Sequence, residues 1–578
     1  MNRIRDFFKE RGAVVAIWLL VPLVTIINFS HHKWVRPESV IEWDIKSYYA
    51  YLPAYFIHKD ISLDFISENP KEYTKWFWPT ITGTGKKCIV TSMGLSILYA
   101  PFFFIGHIIA SFSTYSNDGY SVPYAFVLTF SALFYLILGL IYLRKLLRSF
   151  FDELTSLITI ALIFAGTNLL FYVSWAAPMP HCYNFSLISI FLYKVNNWYK
   201  NPTRMKVIVL GLLAGLIVLI RPTNILILIV FLFWDLSSVK DITTRIKFLF
   251  LKYKMMLLML ASFILVWIPQ FIYWKYVSGK FLYFSYGNLG AGFNWANPQL
   301  LDILLSFRKG WYVYTPIMFV SSLGIALMYR NMKNYYLPVL LFMLMNIYVQ
   351  ASWWCWWFGG SFGNRAFIDS YGIMALPLAS IIYSAKKSYQ KFLPLLALLA
   401  ILGWYNTFQI KQYRRMLVHY WWMSPTAYGK SFLKTSTPKN FYETIPIPDY
   451  NKARKGIYVA KNKILRFTGY KNINLSPEEI IDAIKNDITI RPSHHKEAKK
   501  YEISVDSIIT IEAWNKYERT YAIKKYIRPL LAVKIADSLK LDTAYLDKNF
   551  NGWSNLEESE LDSVLQSHSL SQIKKAKF

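Results

Sequence analysis

The chain has 578 residues, 54% hydrophobic, 18% aromatic and only 17% charged, and its mean hydropathy is +0.27. Apolar runs near the roughly 20 residues that cross a bilayer recur from residue 13 to residue 409, which excludes an ordinary soluble multidomain protein. The net charge of +30 invites a nucleic-acid reading, but the Lys and Arg residues gather in alternate connections between apolar runs. That is the positive-inside pattern, with a basic tail added, so no nucleic-acid partner is expected.

The opening "MNRIRDFFKERGAVVAIWLLVPLVTIINF" has a basic start before an apolar stretch. No small-residue cleavage site follows, so it reads as an uncleaved first span. Basic clusters then mark one side of the membrane: Arg3, Arg5, Lys9 and Arg11; Arg144, Lys145 and Arg148; Lys200, Arg204 and Lys206; Lys240, Arg245, Lys247, Lys252 and Lys254; Arg330 and Lys333; Lys386, Lys387 and Lys391. Placed in the cytoplasm, they predict spans near 13–29, 121–143, 155–173, 183–199, 206–220, 223–238, 253–275, 313–329, 335–352, 366–384 and 391–409. The fold class expected is therefore an all-α polytopic membrane protein of about eleven transmembrane helices, N-terminus cytoplasmic and C-terminus extracytoplasmic. Segment 88–112, "CIVTSMGLSILYAPFFFIGHIIASF", breaks the parity. A crossing there would put Arg144, Lys145 and Arg148 outside, so it reads as a juxtamembrane helix that dips without crossing.

Two regions follow: a transmembrane domain over 1–411, with a first outer loop at 30–120, and a soluble extracytoplasmic region over 412–578. The second is rich in Lys, Glu, Asp and Ser. "LSPEEIIDAIKND", with Ser476 as N-cap, and "ISVDSIITIEAWNKYERTYAIKKYI" predict helices, hence a small, mostly helical domain. Cys88, Cys182 and Cys355 lack a metal-type spacing and read as small buried side chains.

The unusual polar residues fall on the outer side. Asp44 sits in "IEWDIKSYYAYLP" just after the first span, with Glu42 before it and Tyr48, Tyr49 and Tyr51 after it. Lys86 and Lys87 follow a "TGTG" turn, and His181 closes "APMPH". Arg221 lies in "LIRPTN" between two spans, Trp356 in "SWWCWWFGG", and Arg365 and Asp369 in "GNRAFIDSYG". Each has a plainer alternative. Asp44 can cap a helix, the tyrosines can form an interfacial belt, Lys86 and Lys87 can touch anionic headgroups, and His181 can be a hydrogen-bonded loop residue, with no second His at metal spacing. Arg221 is harder to dismiss, because an arginine wedged between apolar helices is costly. The residue types suit a transferase. Arg221, Lys86, Lys87 and Arg365 would neutralise a leaving phosphate, and Asp44 would accept a hydroxyl proton. Glu42, Tyr48, His181, Trp356 and Asp369 would contact substrate.

The order of parts resembles the GT-C superfamily of integral-membrane glycosyltransferases: a first span, an acid soon after it, dipping helices, many spans and a soluble outer domain. "EWD" followed by "YYAYLPAYF" resembles its acid-after-first-span signature, and "GTGKKCIVTSMGLSILYAPFFFIGH" its juxtamembrane segment. The outer loop at 276–312 corresponds in position, and "WWFGGSFGNRAF" and "LIRPTN" resemble stretches of bacterial members. The resemblance covers roughly residues 1–410. It implies a polyprenyl-phosphate-linked sugar donor, a glycan, lipid or protein acceptor, inversion at the anomeric carbon, and Asp44 as general base at the outer face of the bacterial cytoplasmic membrane. A second acidic motif of the metal-dependent members is missing, so no cofactor is expected and a divalent metal is not favoured. The alternatives are a transporter of envelope glycolipids, which no internal repeat supports, and a non-catalytic envelope scaffold. Convergence of Asp44, Arg221 and Arg365 would favour the enzyme, and scatter the scaffold.

Overall fold

A computed structural model describes residues 2–439 and 441–464. The two helices expected around Ser476 and over 503–527 lie outside the described residues.

The chain is mostly helical, and long apolar helices make it a multi-pass membrane protein. Shorter turns aside, its helices are α1 (Asn2–His31), α2 (Asp44–Tyr49), α3 (Gly94–Ser111), α4 (Val122–Leu147), α5 (Glu153–Ala165), α6 (Pro180–Lys200), α7 (Arg204–Ile220), α8 (Ile227–Phe233), α9 (Tyr253–Ser278), α10 (Ile317–Asn331), α11 (Lys333–Ser352), α12 (Tyr371–Lys386) and α13 (Tyr389–Arg414). Among the described residues seven segments are long and apolar enough to cross a membrane: Glu10–His31, α3, α4, α9, α11, Arg365–Lys386 and α13. Length and composition thus put α3 in that set, whereas the alternation of basic loops reads it as non-crossing.

Helix boundaries follow local chemistry. Asp152 caps α5 by accepting the Thr155 N–H at 3.1 Å, and Pro123 and Pro180 sit in the first turns of α4 and α6, where a missing N–H costs nothing. Packing between helices uses small residues. Gly211 and Gly215 of α7 face α9, and a Cβ at Gly211 would stand 2.3 Å from the Met259 carbonyl oxygen. Trp267 closes the contact by donating its indole N–H to the Gly215 carbonyl at 3.1 Å. With lipid tails as apolar as the side chains, such close approach is what holds membrane helices together. Gly211→Leu is expected to force α7 and α9 apart and lower stability by about 1–3 kcal/mol. A thermal melt of the detergent-solubilised variant checks this, and an unchanged melting temperature would refute it.

Two polar layers sit at opposite ends of α1. In its first half, the buried Glu153 carboxylate accepts from Arg144 at 2.9 Å and from the Ala13 N–H at 2.9 Å, with Arg148 as a second cation 3.2 Å away. Beyond its end lies Asp44. Residues 13 and 31 of a straight helix are about 27 Å apart, close to the thickness of a hydrocarbon core.

The stretch 32–93 between α1 and α3 contains short helical turns, as expected, but also a two-stranded antiparallel hairpin, β1 (Pro79–Ile81) with β2 (Lys87–Ile89), which modifies the all-α expectation. The "TGTG" turn causes it. Gly85 takes φ +82°, and Thr82 N–H pairs with the Lys86 carbonyl at 2.9 Å. The hairpin finishes α9: Thr82 and Thr84 hydroxyls both donate to the Val277 carbonyl, at 2.8 and 2.7 Å, satisfying an acceptor the helix end leaves open.

The chain divides into two compact units. The first is Met1–Trp422 with Asp449–Val459; the second holds Met423–Pro448 and continues from Ala460. In place of the boundary expected after 411, α13 runs to Arg414 and the first unit to Trp422. In the second unit Ser424 caps the helix Pro425–Ser431, and Pro446–Pro448 pairs antiparallel with Ala460–Ile464. Cys88, Cys182 and Cys355 are free and buried.

Candidate functional site

Asp44 opens α2, but its side chain caps nothing. The preceding Trp43 is held at φ 48°, ψ −130°, a conformation that costs a bulky residue roughly 1–3 kcal/mol. This turn sends the carboxylate across the fold, where Asp44 Oδ2 accepts from Arg365 Nη2 at 2.6 Å, 321 residues away in sequence. The carboxylate is 44% exposed and Arg365 only 16%, and Asp44 Oδ1 has no hydrogen bond among the described residues. Asp44 is therefore an open acid held by one buried cation.

Arg365 begins a 3₁₀ turn, Arg365–Ser370, that places Asp369 one turn further on. Asn364 caps that turn, accepting the Ala366 N–H at 3.3 Å and donating to the Trp356 carbonyl at 3.1 Å. The approach through "WWCWWFGGSFGN" bends sharply, with Phe358, Gly359 and Gly363 all at positive φ.

Asp369 is buried, with 3% of its side chain exposed, and four side chains converge on it. Arg221 Nη1, Asn224 Nδ2 and Asn184 Nδ2 donate to Oδ2 at 3.0, 2.8 and 3.2 Å, while His181 Nδ1 lies 3.2 Å from Oδ1. His181 and Asn184 stand three residues apart on α6; Arg221 ends α7, and Asn224 sits in the turn Pro222–Leu226. Asp369 thus ties α6, the α7–α8 connection and the Arg365 turn together. With Nδ1 donating to Asp369, the buried His181 Nε2 keeps a lone pair without a partner among the described residues.

Sequence reading nominates ten residues, and the structure brings seven of them together. Asp44, Arg221, Arg365, His181 and Asp369 form the two linked ion-pair groups, and the Tyr48 ring lies within electrostatic reach of both acids and both arginines. Trp356 joins from behind through its carbonyl. Glu42 is set back, 3.9 Å from Lys33, and burial pushes its carboxyl above the usual range against that attraction. Lys86 and Lys87 are engaged elsewhere. Lys86 lies 4.0 Å from the Tyr276 ring centroid and donates to the Tyr276 carbonyl at the end of α9, where a cation suits the helix dipole. Lys87 pairs with Asp64 at 3.6 Å. Trp43 is exposed and meets Trp78 edge to face at 5.9 Å.

Two features escape sequence reading. Tyr286, from the loop after α9, feels the charges of Asp44, Arg221 and Arg365. Arg308 and Lys309 of "SFRKGW" are both buried. The available signal was a basic pair in a loop assigned to the outer side, against the positive-inside pattern. Among the described residues no group of three or more His, Cys, Asp or Glu is arranged to hold a metal ion.

The fold and this cluster define a multi-pass α-helical membrane protein with a polar centre where its helices end. Compared with known proteins, the chain matches no family model, no curated protein and no solved structure at a significant level.

Proposed function

We propose that the protein is an inverting membrane glycosyltransferase of the GT-C type, moving a sugar from a polyprenyl-phosphate-linked donor to an acceptor hydroxyl at the outer face of a bacterial cytoplasmic membrane. The observation that carries this reading is the convergence of Asp44, Arg365, Arg221 and Asp369 beyond the end of α1. A scaffold has no need to hold an open carboxylate against a buried arginine.

In this reading Asp44 Oδ1 accepts the acceptor's proton as its oxygen attacks the anomeric carbon. The bond from that carbon to the phosphate oxygen breaks on the opposite face, and polyprenyl phosphate leaves with the bonding pair. Arg365 keeps the carboxylate aimed, and Tyr286, half-buried beside it, offers a flat face to a sugar, while the buried Tyr48 and Trp356 support the site from behind. Arg221 and Arg365 each already face a carboxylate, so within this cluster their charge is matched. Release of polyprenyl phosphate from a polyprenyl-phosphate-linked sugar by the purified protein in nanodiscs tests the function. Its absence across hexose, pentose and amino-sugar donors would sink it.

The same reading takes eleven crossings, with 88–112 not among them, the N-terminus inside and the C-terminus outside. All eleven segments fall on helices or their terminal turns. Ser116 and Lys145 are exposed on either side of α4, and the three native thiols are buried, so single-cysteine labelling has little background. An impermeant thiol reagent is expected to reach Ser116→Cys in intact cells, and Lys145→Cys only after permeabilisation. The reverse pattern would overturn the orientation.

A further inference from the structure

The loop between the short helices Leu300–Leu305 and Trp311–Tyr314 carries Arg308, 3% exposed, and Lys309, fully buried. The Arg308 Cζ lies 3.3 Å from the Trp357 ring centroid and 3.8 Å from that of Trp422. Two indoles that near a guanidinium take up much of its surroundings, and its N–H groups must find acceptors in what remains. One edge is unpartnered: Nε and Nη2, shielded from solvent, have no hydrogen-bond partner among the described residues, and no carboxylate of those residues forms an ion pair with Arg308. Nε and Nη2 share the side of the guanidinium that matches two oxygens of one oxyanion.

The surroundings share the imbalance. The indole N–H of Trp356 is also buried without an acceptor among the described residues, whereas that of Trp357 has the Tyr450 hydroxyl beside it. The Lys309 ammonium donates to the neutral Ser361 carbonyl and lies 5.6 Å from the Tyr413 ring centroid, with no carboxylate among the described residues in ion pair with it. Burial draws the Arg308 guanidinium down to about 9, still protonated at neutral pH, and burial with the like charges of Arg308 and Arg365 holds Lys309 well below its ordinary value. Two adjacent cations and a set of orphaned donors are expensive in a folded core unless something supplies acceptors and negative charge. Asp302, on the helix Leu300–Leu305, acts on Arg308 from a distance without forming an ion pair with it, and Asp44 is taken by Arg365.

We infer that Arg308, with Lys309 beside it, forms a buried binding site for a phosphate group. A double positive charge and donors beyond the fork suit a tetrahedral dianion better than a planar carboxylate. The phosphate belongs either to an amphiphile's headgroup or to a free phosphate ion, and the site stands whether or not the transferase reading does. It adjoins the candidate centre, because the Cys355 thiol feels Arg308, Arg365 and Asp44 together.

The test uses the full chain in dodecyl maltoside, with isothermal titration of inorganic phosphate and of dodecyl phosphate, and protein-free micelles as the blank. At least one probe is expected to bind the wild type. Arg308→Gln is expected to weaken that binding by about tenfold to a hundredfold, and Arg308→Lys by less, because charge survives while the fork is lost. Binding of dodecyl phosphate alone assigns a headgroup; binding of inorganic phosphate as well assigns the free ion. If neither probe binds the wild type at millimolar concentration, the site does not exist. Wild-type affinity in Arg308→Gln overturns it too. Should that variant fail to fold, wild-type affinity in Arg308→Lys does the same.

Discussion

Asp44→Asn is expected to lower turnover with a polyprenyl-phosphate-linked sugar by about 10²–10⁴-fold, the usual contribution of a general base, while the protein still folds. Asparagine keeps an oxygen for Arg365 Nη2, now at 2.6 Å from Asp44 Oδ2, but has no basicity to offer an acceptor hydroxyl. The rival account is that Asp44 serves only to neutralise Arg365. Then the loss would be one of stability, and the paired variant Asp44→Asn with Arg365→Gln, which removes both charges, would regain melting temperature and activity together. In the catalytic account the pair regains stability and stays inactive. Near-wild-type turnover in purified Asp44→Asn would end the claim for this residue. The capping alternative is already set aside by geometry, since the Asp44 side chain bonds no backbone N–H of α2.

Asp369→Leu is expected to cost about 3–5 kcal/mol of stability, because it leaves a buried guanidinium without its counter-charge. That is a large share of the roughly 5–15 kcal/mol by which proteins are stable. Arg221, Asn224, Asn184 and His181 would all lose their common acceptor at once. Removing the cation as well, in Arg221→Leu with Asp369→Leu, is expected to restore part of the loss, since no charge then remains buried and unpaired. Differential scanning fluorimetry of the two variants decides it. A single variant that melts with the wild type would mean that Asp369 is not the hub its contacts describe. The contrast with Asp44 is in exposure: 3% for the Asp369 side chain and 44% for Asp44. One carboxylate is fully used by the protein, and the other is open to a substrate.

The elements were legible because their signal is local. Every helix of the transmembrane unit longer than ten residues falls on an apolar run read from the chain. Breaks within runs also follow local residues: α5 stops before Gly166, inside the run 155–173, and Pro222 opens the turn before α8. The hairpin β1–β2 was visible only as a "TGTG" turn. Its strands are three residues long and are held by the end of α9, nearly two hundred residues later.

For the candidate site, sequence reading found residue types and not partners. Arg221 was singled out because an arginine between apolar helices is costly, and the structure supplies the reason it is tolerated: Asp369, 148 residues on. Lys86 and Lys87 carry the same charge as Arg365 and are read from the sequence on the same side, yet a helix end claims one and Asp64 the other. Nothing near Arg308 in the chain foretells the Trp357 and Trp422 rings that lie against its guanidinium.

What the sequence determined by itself is therefore a set of membrane-length apolar segments, their basic flanks and the acid that follows the first of them. Bilayer thickness and the positive-inside bias act on each short segment separately, so local composition is enough to read them. Which charges meet was decided only by the tertiary structure. In a low-dielectric interior an unpaired charge is too costly to leave, and the partner that satisfies it is whatever side chain the packing of distant helices delivers.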